Sequence, residues 1–157
     1  MSIERVKQYF DKFGIADRIL EFDVSSATVA LAANAVGCEP QRIAKTLSFS
    51  VNDRTILIVA AGDARVDNKK YKDKFGVKAK MLPHDETAKR VGHAVGGVCP
   101  FAVNDGINIY LDESLKRFET VFPACGSSNS AIELTISELQ NYSNFDEWVD
   151  VCKIPED

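Results

Sequence analysis

Histidine and cysteine are scarce in this 157-residue chain, and neither is arranged for chemistry. The two histidines, His84 and His93, stand at no ligand spacing from the four cysteines, Cys38, Cys99, Cys125 and Cys152. The cysteines are spread singly, with no CxxC pair, which argues against a zinc site and a disulfide framework and for free thiols in a reducing compartment. No P-loop and no GxGxxG opening a helix is present, and no Ser-His-Asp set can be drawn with force. Apolar runs such as Thr55–Ala61 are far too short to span a bilayer. The start, MSIERVKQYF, carries charge throughout and lacks the apolar core and cleavage site of a signal peptide. These absences make a cytoplasmic protein the expectation. A net charge of −4 excludes a chain that binds polyanions over its whole surface.

What is present is ordinary globular material, 45% hydrophobic and 27% charged, at a length that fits one domain, 1–157. Ser2 can cap a helix with Ile3, Val6, Phe10 and Phe13 on one face, stopped by Gly14. Arg18–Phe22 reads as a short strand, and Ser25 or Ser26 as the cap of a helix through Thr28–Val36 closed by Gly37. Pro40 leads into a strand over Arg42–Asn52, and Asn52-Asp53 turns it into a second, Thr55–Ala61, giving a central hairpin. Asp67 caps a helix over Asn68–Phe75 ended by Gly76; Val77–Met81 is a strand; Pro83 and Asp85 start a short helix stopping before Gly92. Asn104-Asp105-Gly106 is a tight turn before a strand at Ile107–Asp112. Helical turns at Glu113–Phe118, a short extended Val121-Phe122 and a last strand at Ala131–Thr135 follow. Thr135-x-x-Glu138 has capping-box spacing, and Asn144-x-x-Glu147 repeats the signal before a final helix with Trp148 and Val149. Short turns between interspersed elements point to α+β with a mixed, mostly antiparallel sheet.

Three features could carry chemistry. Lys45 falls on the apolar face of its strand with Ile43, Leu47, Phe49 and Val51. Spacing alone favours a strand-end lysine that snorkels to water; the sharper reading aims it into a pocket to hold an anion or a polarised carbonyl. Gly96-Gly97-Val98-Cys99-Pro100-Phe101 can pass close to a ligand and offer N–H groups to an oxyanion, or be a plain turn. Gly126-Ser127-Ser128-Asn129-Ser130 is a polar loop before a strand, or simply a solvated one. Eight Lys or Arg between Lys69 and Arg90 make a solvated helix face or a local phosphate patch.

IAKTLSF, VAAGDARVDNKKYKDKFG, GGVCPF and IYLDESLKRFETVFPACGSSNSAIELT follow one another in an order that resembles the YbaK/EbsC family. These are free-standing relatives of the editing domain inserted in bacterial prolyl-tRNA synthetases, and the likeness covers roughly Ser25–Gln140. It implies a curved, barrel-like mixed sheet flanked by helices, and hydrolysis in trans of mischarged aminoacyl-tRNA, with Ala- or Cys-tRNA(Pro) as natural targets. It puts the family's lysine on Lys45 and its GxxxP loop on Gly96–Pro100. Catalytic roles fall on Lys45, Gly96 and Gly97. Substrate contacts fall on Thr46, Val98, Cys99, Pro100, Phe101, Gly126, Ser127, Asn129 and Ser130. Asp63 and Asp67 match acidic positions read as a turn and a helix cap. The attacker is water, or the substrate's own thiol in a cysteinyl ester. No cofactor or metal is implied; the partners are the acceptor end of tRNA, held in part by Lys69–Arg90, and a prolyl-tRNA synthetase. Two departures flank the expected pocket: Ala102, where many relatives have glycine, and Ser128, where many have proline. The alternative is a non-catalytic tRNA- or synthetase-binding module of the same fold. A role in the cell envelope, attached by name to some relatives, has no support in these residues.

Overall fold

Ile43–Val51, where apolar residues alternate, and Arg54–Ala61, a nearly continuous apolar run, become β2 and β3 of the order below, paired antiparallel over eight residues from Ala44↔Ala61 to Val51↔Arg54. Asn52 and Asp53, at φ 48° and 68°, supply the two left-handed positions that a two-residue hairpin turn requires. The computed structural model describes residues 2–155. In chain order it runs α1 (Ser2–Asp11), β1 (Leu20–Glu21), α2 (Val29–Val36), β2, β3, β4 (Arg65–Val66), α3 (Asn68–Phe75), α4 (His84–Val91), β5 (Asn108–Asp112), β6 (Thr120–Pro123), β7 (Ser130–Ala131), β8 (Leu134–Thr135), α5 (Ile136–Ser143), β9 (Glu147–Val149) and β10 (Cys152–Lys153). The cap expected of the Ser2 side chain lies outside the described residues. No described helix is long and apolar enough to cross a membrane.

The main sheet has the order β8-β6-β2-β3-β5-β9 and curls into a half-barrel. β2–β6, β3–β5 and β5–β9 are parallel. β2–β3 and β6–β8 are antiparallel, as are the separate β1–β7 and β4–β10 pairs, so the fold is the expected α+β with a mixed sheet. α3 packs on the hairpin, Phe49 meeting Tyr71 at 5.2 Å, and α1 packs on the glycine loop, Phe10 meeting Phe101 at 4.8 Å.

Four expectations are corrected. The last strand, Ala131–Thr135, is broken: Ala131 pairs with Leu20 and Leu134 with Val121, so the chain changes partner at Ile132. The final helix at Glu147 is instead strand β9. There Asp146 accepts the Ile109 N–H at 2.7 Å and docks the segment beside β5, where pairing outweighs a cap-like spacing. The cap of α2 is Thr28, accepting from Leu31 N at 3.2 Å, not Ser25 or Ser26. Val77–Met81 forms only one bridge, Met81 to Phe49.

The capping box at Thr135–Glu138 forms as its spacing predicts. Thr135→Ala is expected to lower stability by about 1 kcal/mol in a denaturant melt. Glu138 also binds Arg18 at 2.7 Å, and that guanidinium pulls its carboxyl down from 4.5 to about 2. A depressed carboxylate pKa stabilises the fold above the unfolded value and ceases to do so as pH falls through the folded one. Stability is therefore expected to drop between about pH 4.5 and 2, and Glu138→Gln to flatten that limb; an unchanged acid limb would contradict this.

Candidate active site

β2 is covered along its outer edge by two different neighbours. β6 pairs with Ile43 and Ala44, and the segment before α4 bonds at Ser48 and Ser50 (Leu82 N to Ser48 O, 3.1 Å; Ser50 N to Lys80 O, 2.9 Å). Between them opens a cleft of about 300 Å³. Lys45, Thr46 and Ser48 form its floor. Ser26, Thr28, Val29 and Ala32 contribute from the start of α2 and the loop before it. Met81, His84 and Thr87 stand on the α4 side, Val95, Gly96 and Val98 on the glycine loop, and Phe122 and Ser130 on the far side.

Lys45 is half-buried, and its ammonium donates to the carbonyl of Ala64 and to that of Gly62 at 3.4 Å. Burial pushes its pKa below the ordinary lysine value, opposed by the Cys152 thiol and the Asp63 carboxylate nearby. Asp63 is itself clamped by Arg117 at 3.1 Å, whose charge holds its carboxyl low, and Asp67 caps α3 by accepting from Lys70 N at 2.9 Å. Both aspartates thus serve the structural roles expected of them.

The two predicted loops meet. A Cβ on Gly97 would sit 2.6 Å from Ser127 N and 2.7 Å from Gly126 C, backbone against backbone. Gly96 has φ +95° and faces Ala27 and Ser128. Ser128 O in turn accepts from Ser26 N at 2.6 Å, so three distant segments lock together. The role expected of Gly97 is corrected here: its N–H donates to Ala94 O at 3.0 Å in a turn and is not available to an oxyanion. The N–H groups of Gly96 and Val98, both on the cleft wall, have no partner among the described residues.

Beyond Val98 the chain dives into the core, which removes three expected contacts from the cleft. Cys99 is fully buried, 3.6 Å from His93 Nε2, and burial pushes its thiol up to about 12, so it is an inert core group rather than a nucleophile. Phe101 packs against Phe10, and Pro100 faces a separate shallow depression with Ala102 and Tyr9. In the second loop only Ser130 lines the cleft. Ser127 bonds Ser130 at 2.7 Å, and Asn129 Nδ2 donates to Phe22 O at 3.0 Å, so Gly126, Ser127 and Asn129 position the wall without forming it. Ala102 stands at φ 53°, which explains why glycine suits this position. Ala102→Gly is expected to be neutral or to raise stability by up to about 1 kcal/mol in thermal melts, the gain in left-handed backbone being offset by added unfolded-state freedom.

Sequence reasoning missed Ser26, Thr28, Val29, Ala32, His84 and Thr87 as cleft residues. The capping chemistry around Ser25–Thr28 marked a helix start but not that it faces the cleft. Of the eight cations between Lys69 and Arg90, three are paired: Lys70 with Asp150, Lys74 with Glu147 and Arg90 with Glu86. Lys69, Lys72, Lys78, Lys80 and Lys89 have no carboxylate partner among the described residues. No described group of three or more His, Cys, Asp or Glu is placed to hold a metal ion.

The family model of the aminoacyl-tRNA editing domain matches residues 24–142. The uncharacterized protein YwhH of Bacillus subtilis (strain 168) is 53% identical over 154 residues, 98% of each chain. A proline–tRNA ligase of Geobacillus sp. (strain WCH70) is 26% identical over 121 residues, 71% of this chain but only 21% of the ligase. A crystal structure of a proposed trans-editing enzyme for prolyl-tRNA synthetase superposes with a TM-score of 0.86 at 28% identity, covering 97% of both chains. With the match covering most of the sequence, the chain belongs to the aminoacyl-tRNA editing domain family.

Proposed function

We propose that this protein is a free-standing deacylase, working in the cytoplasm, that hydrolyses the ester of mischarged aminoacyl-tRNA, with Ala- or Cys-tRNA(Pro) as substrate. The observation that carries the reading is the meeting of Lys45 with the free N–H groups of Gly96 and Val98 on one small cleft. The cleft wall is built largely from short or apolar side chains, Ala27, Val29, Ala32 and Ala44 among them, which suits a small aminoacyl group.

In the reaction a water oxygen attacks the ester carbonyl carbon. The carbonyl oxygen becomes an oxyanion, held by the Gly96 and Val98 N–H groups; such a donor is worth about 3–4 kcal/mol. Collapse breaks the bond to the ribose oxygen, which leaves with the proton given up by the water. Free amino acid and a 3′-terminal hydroxyl result. Lys45 supplies positive charge beside the ester or the terminal phosphate and is not the base. Unpaired lysines such as Lys78 and Lys80 would meet backbone phosphates of the acceptor end, so binding should weaken as salt rises. A synthetase pocket made for proline rejects smaller amino acids by only about 1–3 kcal/mol, which is why a second, smaller sieve is useful.

The test is single-turnover deacylation of Ala-, Cys-, Ser- and Pro-tRNA(Pro). Hydrolysis of one mischarged species with Pro-tRNA(Pro) spared supports the reading and names the substrate. Bound tRNA with no hydrolysis of any species would favour a non-catalytic binding module instead. Ala32→Leu, which fills the cleft from α2, is expected to slow hydrolysis of the larger accepted esters at least tenfold more than that of alanyl ester; equal slowing of all would contradict a size-based pocket.

A further inference from the structure

The main chain of β2 carries a gap that the deacylation reading does not use. Ser48 O and Ser50 N point to the outer edge of β2, where Leu82 and Lys80 meet them. Main-chain groups alternate sides along a strand, so Thr46 also presents its N–H and C=O outward. There it finds nothing: β6 reaches only Ala44, and no described residue bonds to either Thr46 group. The Thr46 hydroxyl is buried without a partner too, as is that of Ser26, and both residues line the cleft. Unsatisfied buried polar groups cost free energy unless something completes them. The opening is a single outward-facing residue long, closed on one side at Ala44 and on the other at Ser48, so a peptide strand cannot lie along it.

We infer that the aminoacyl group of the substrate pairs with Thr46 as a one-residue strand. Its α-amino N–H donates to Thr46 O, and its carbonyl oxygen accepts from Thr46 N–H, the two-bond exchange of an antiparallel pair. This rests on the deacylase reading and deepens it: the ligand is an ester bearing a free α-amino group. The described cleft wall contains no Asp or Glu, so that amino group is met by neutral acceptors, Thr46 O first and the Thr46 and Ser26 hydroxyls beside it. Thr46 N–H then joins Gly96 and Val98 as a donor to the reacting carbonyl.

The test uses the full-length ¹⁵N-labelled protein and two stable amide probes, 3′-deoxy-3′-(L-alanylamino)adenosine and its 3′-propionylamino counterpart, which lacks only the α-amino group. Saturation with the alanyl probe is expected to move the Thr46 amide resonance downfield and slow its hydrogen exchange at least tenfold. The propionyl probe is expected to bind at least tenfold more weakly. Thr46→Val, which keeps the main chain and removes only the hydroxyl, should retain the amide shift at position 46. A position-46 amide unmoved at saturation, equal affinity for the two probes, or no saturable binding of either would overturn the pairing. Hydrolysis of Ala-tRNA(Pro) with an unmoved Thr46 amide rejects the pairing and leaves deacylation standing; a Thr46 shift without hydrolysis does the reverse.

Discussion

Lys45→Ala is expected to lower the single-turnover deacylation rate about 100-fold or more, the loss typical of removing one preorganised electrostatic contact to a developing charge. Lys45 lines the cleft and its ammonium is held by the Ala64 and Gly62 carbonyls, so its position is fixed before substrate arrives. Removing it takes this donor from the Gly62 and Ala64 carbonyls, and Ala64 is fully buried, so a stability cost of about 1–3 kcal/mol is expected beside the loss of rate. Lys45→Arg should not restore the rate, because a planar guanidinium cannot occupy the space of a compact ammonium between two carbonyls. A wild-type rate in the alanine variant, with folding intact by thermal melt, would remove Lys45 from the mechanism.

Gly97→Ala is the second large effect. The added methyl would lie 2.6–2.8 Å from Ser127 N, Gly126 C and Ser127 Cα, and none of these is the movable end of a side chain. The two loops must part, at an expected cost of about 1–3 kcal/mol in a denaturant melt. Deacylation should fall by more than tenfold, since the wall carrying the Gly96 and Val98 N–H groups shifts with them, and small misplacements of positioned groups cost large factors in rate. Gly76→Ala is the control: Gly76, unlike Gly97, is at positive φ, and its Cβ meets nothing within 4 Å, so the change should cost stability through backbone strain alone and leave the rate per folded molecule unchanged. Equal behaviour of the two variants would show that Gly97 matters only as a flexible residue.

The elements that could be read in the sequence were those set by local chemistry. The β2–β3 hairpin followed from alternation in the first strand, the apolar run of the second and Asn52-Asp53 between them, α3 from Asp67 and Gly76, and α5 from its capping box. Where pairing partners decide, local signals failed: Asn144-x-x-Glu147 has the spacing of a cap, yet β5 claims the segment as a strand. The site divides the same way. Lys45, Thr46, Gly96, Val98 and Ser130 could be found from motifs and do share one cleft. Cys99 and Phe101 lie in the same motif but face the core, because a loop has no fixed periodicity from which to tell its two sides apart. The contribution of Ser26 through Ala32 was invisible, since nothing in a helix start says which distant loop it will face.

That dependence on distant segments has a kinetic side. The β2–β3 hairpin needs only neighbouring residues and can form within about 1–10 μs. The cleft instead awaits bonds such as Asn129 to Phe22, 107 residues apart in the chain, and Ser26 to Ser128. Closing loops of that length is slow compared with local pairing. On the ribosome, the sheet centre can therefore fold while the wall at Gly126–Ser130 is still unmade, and a nascent chain gains its cleft only after the segment through Ser130 has emerged.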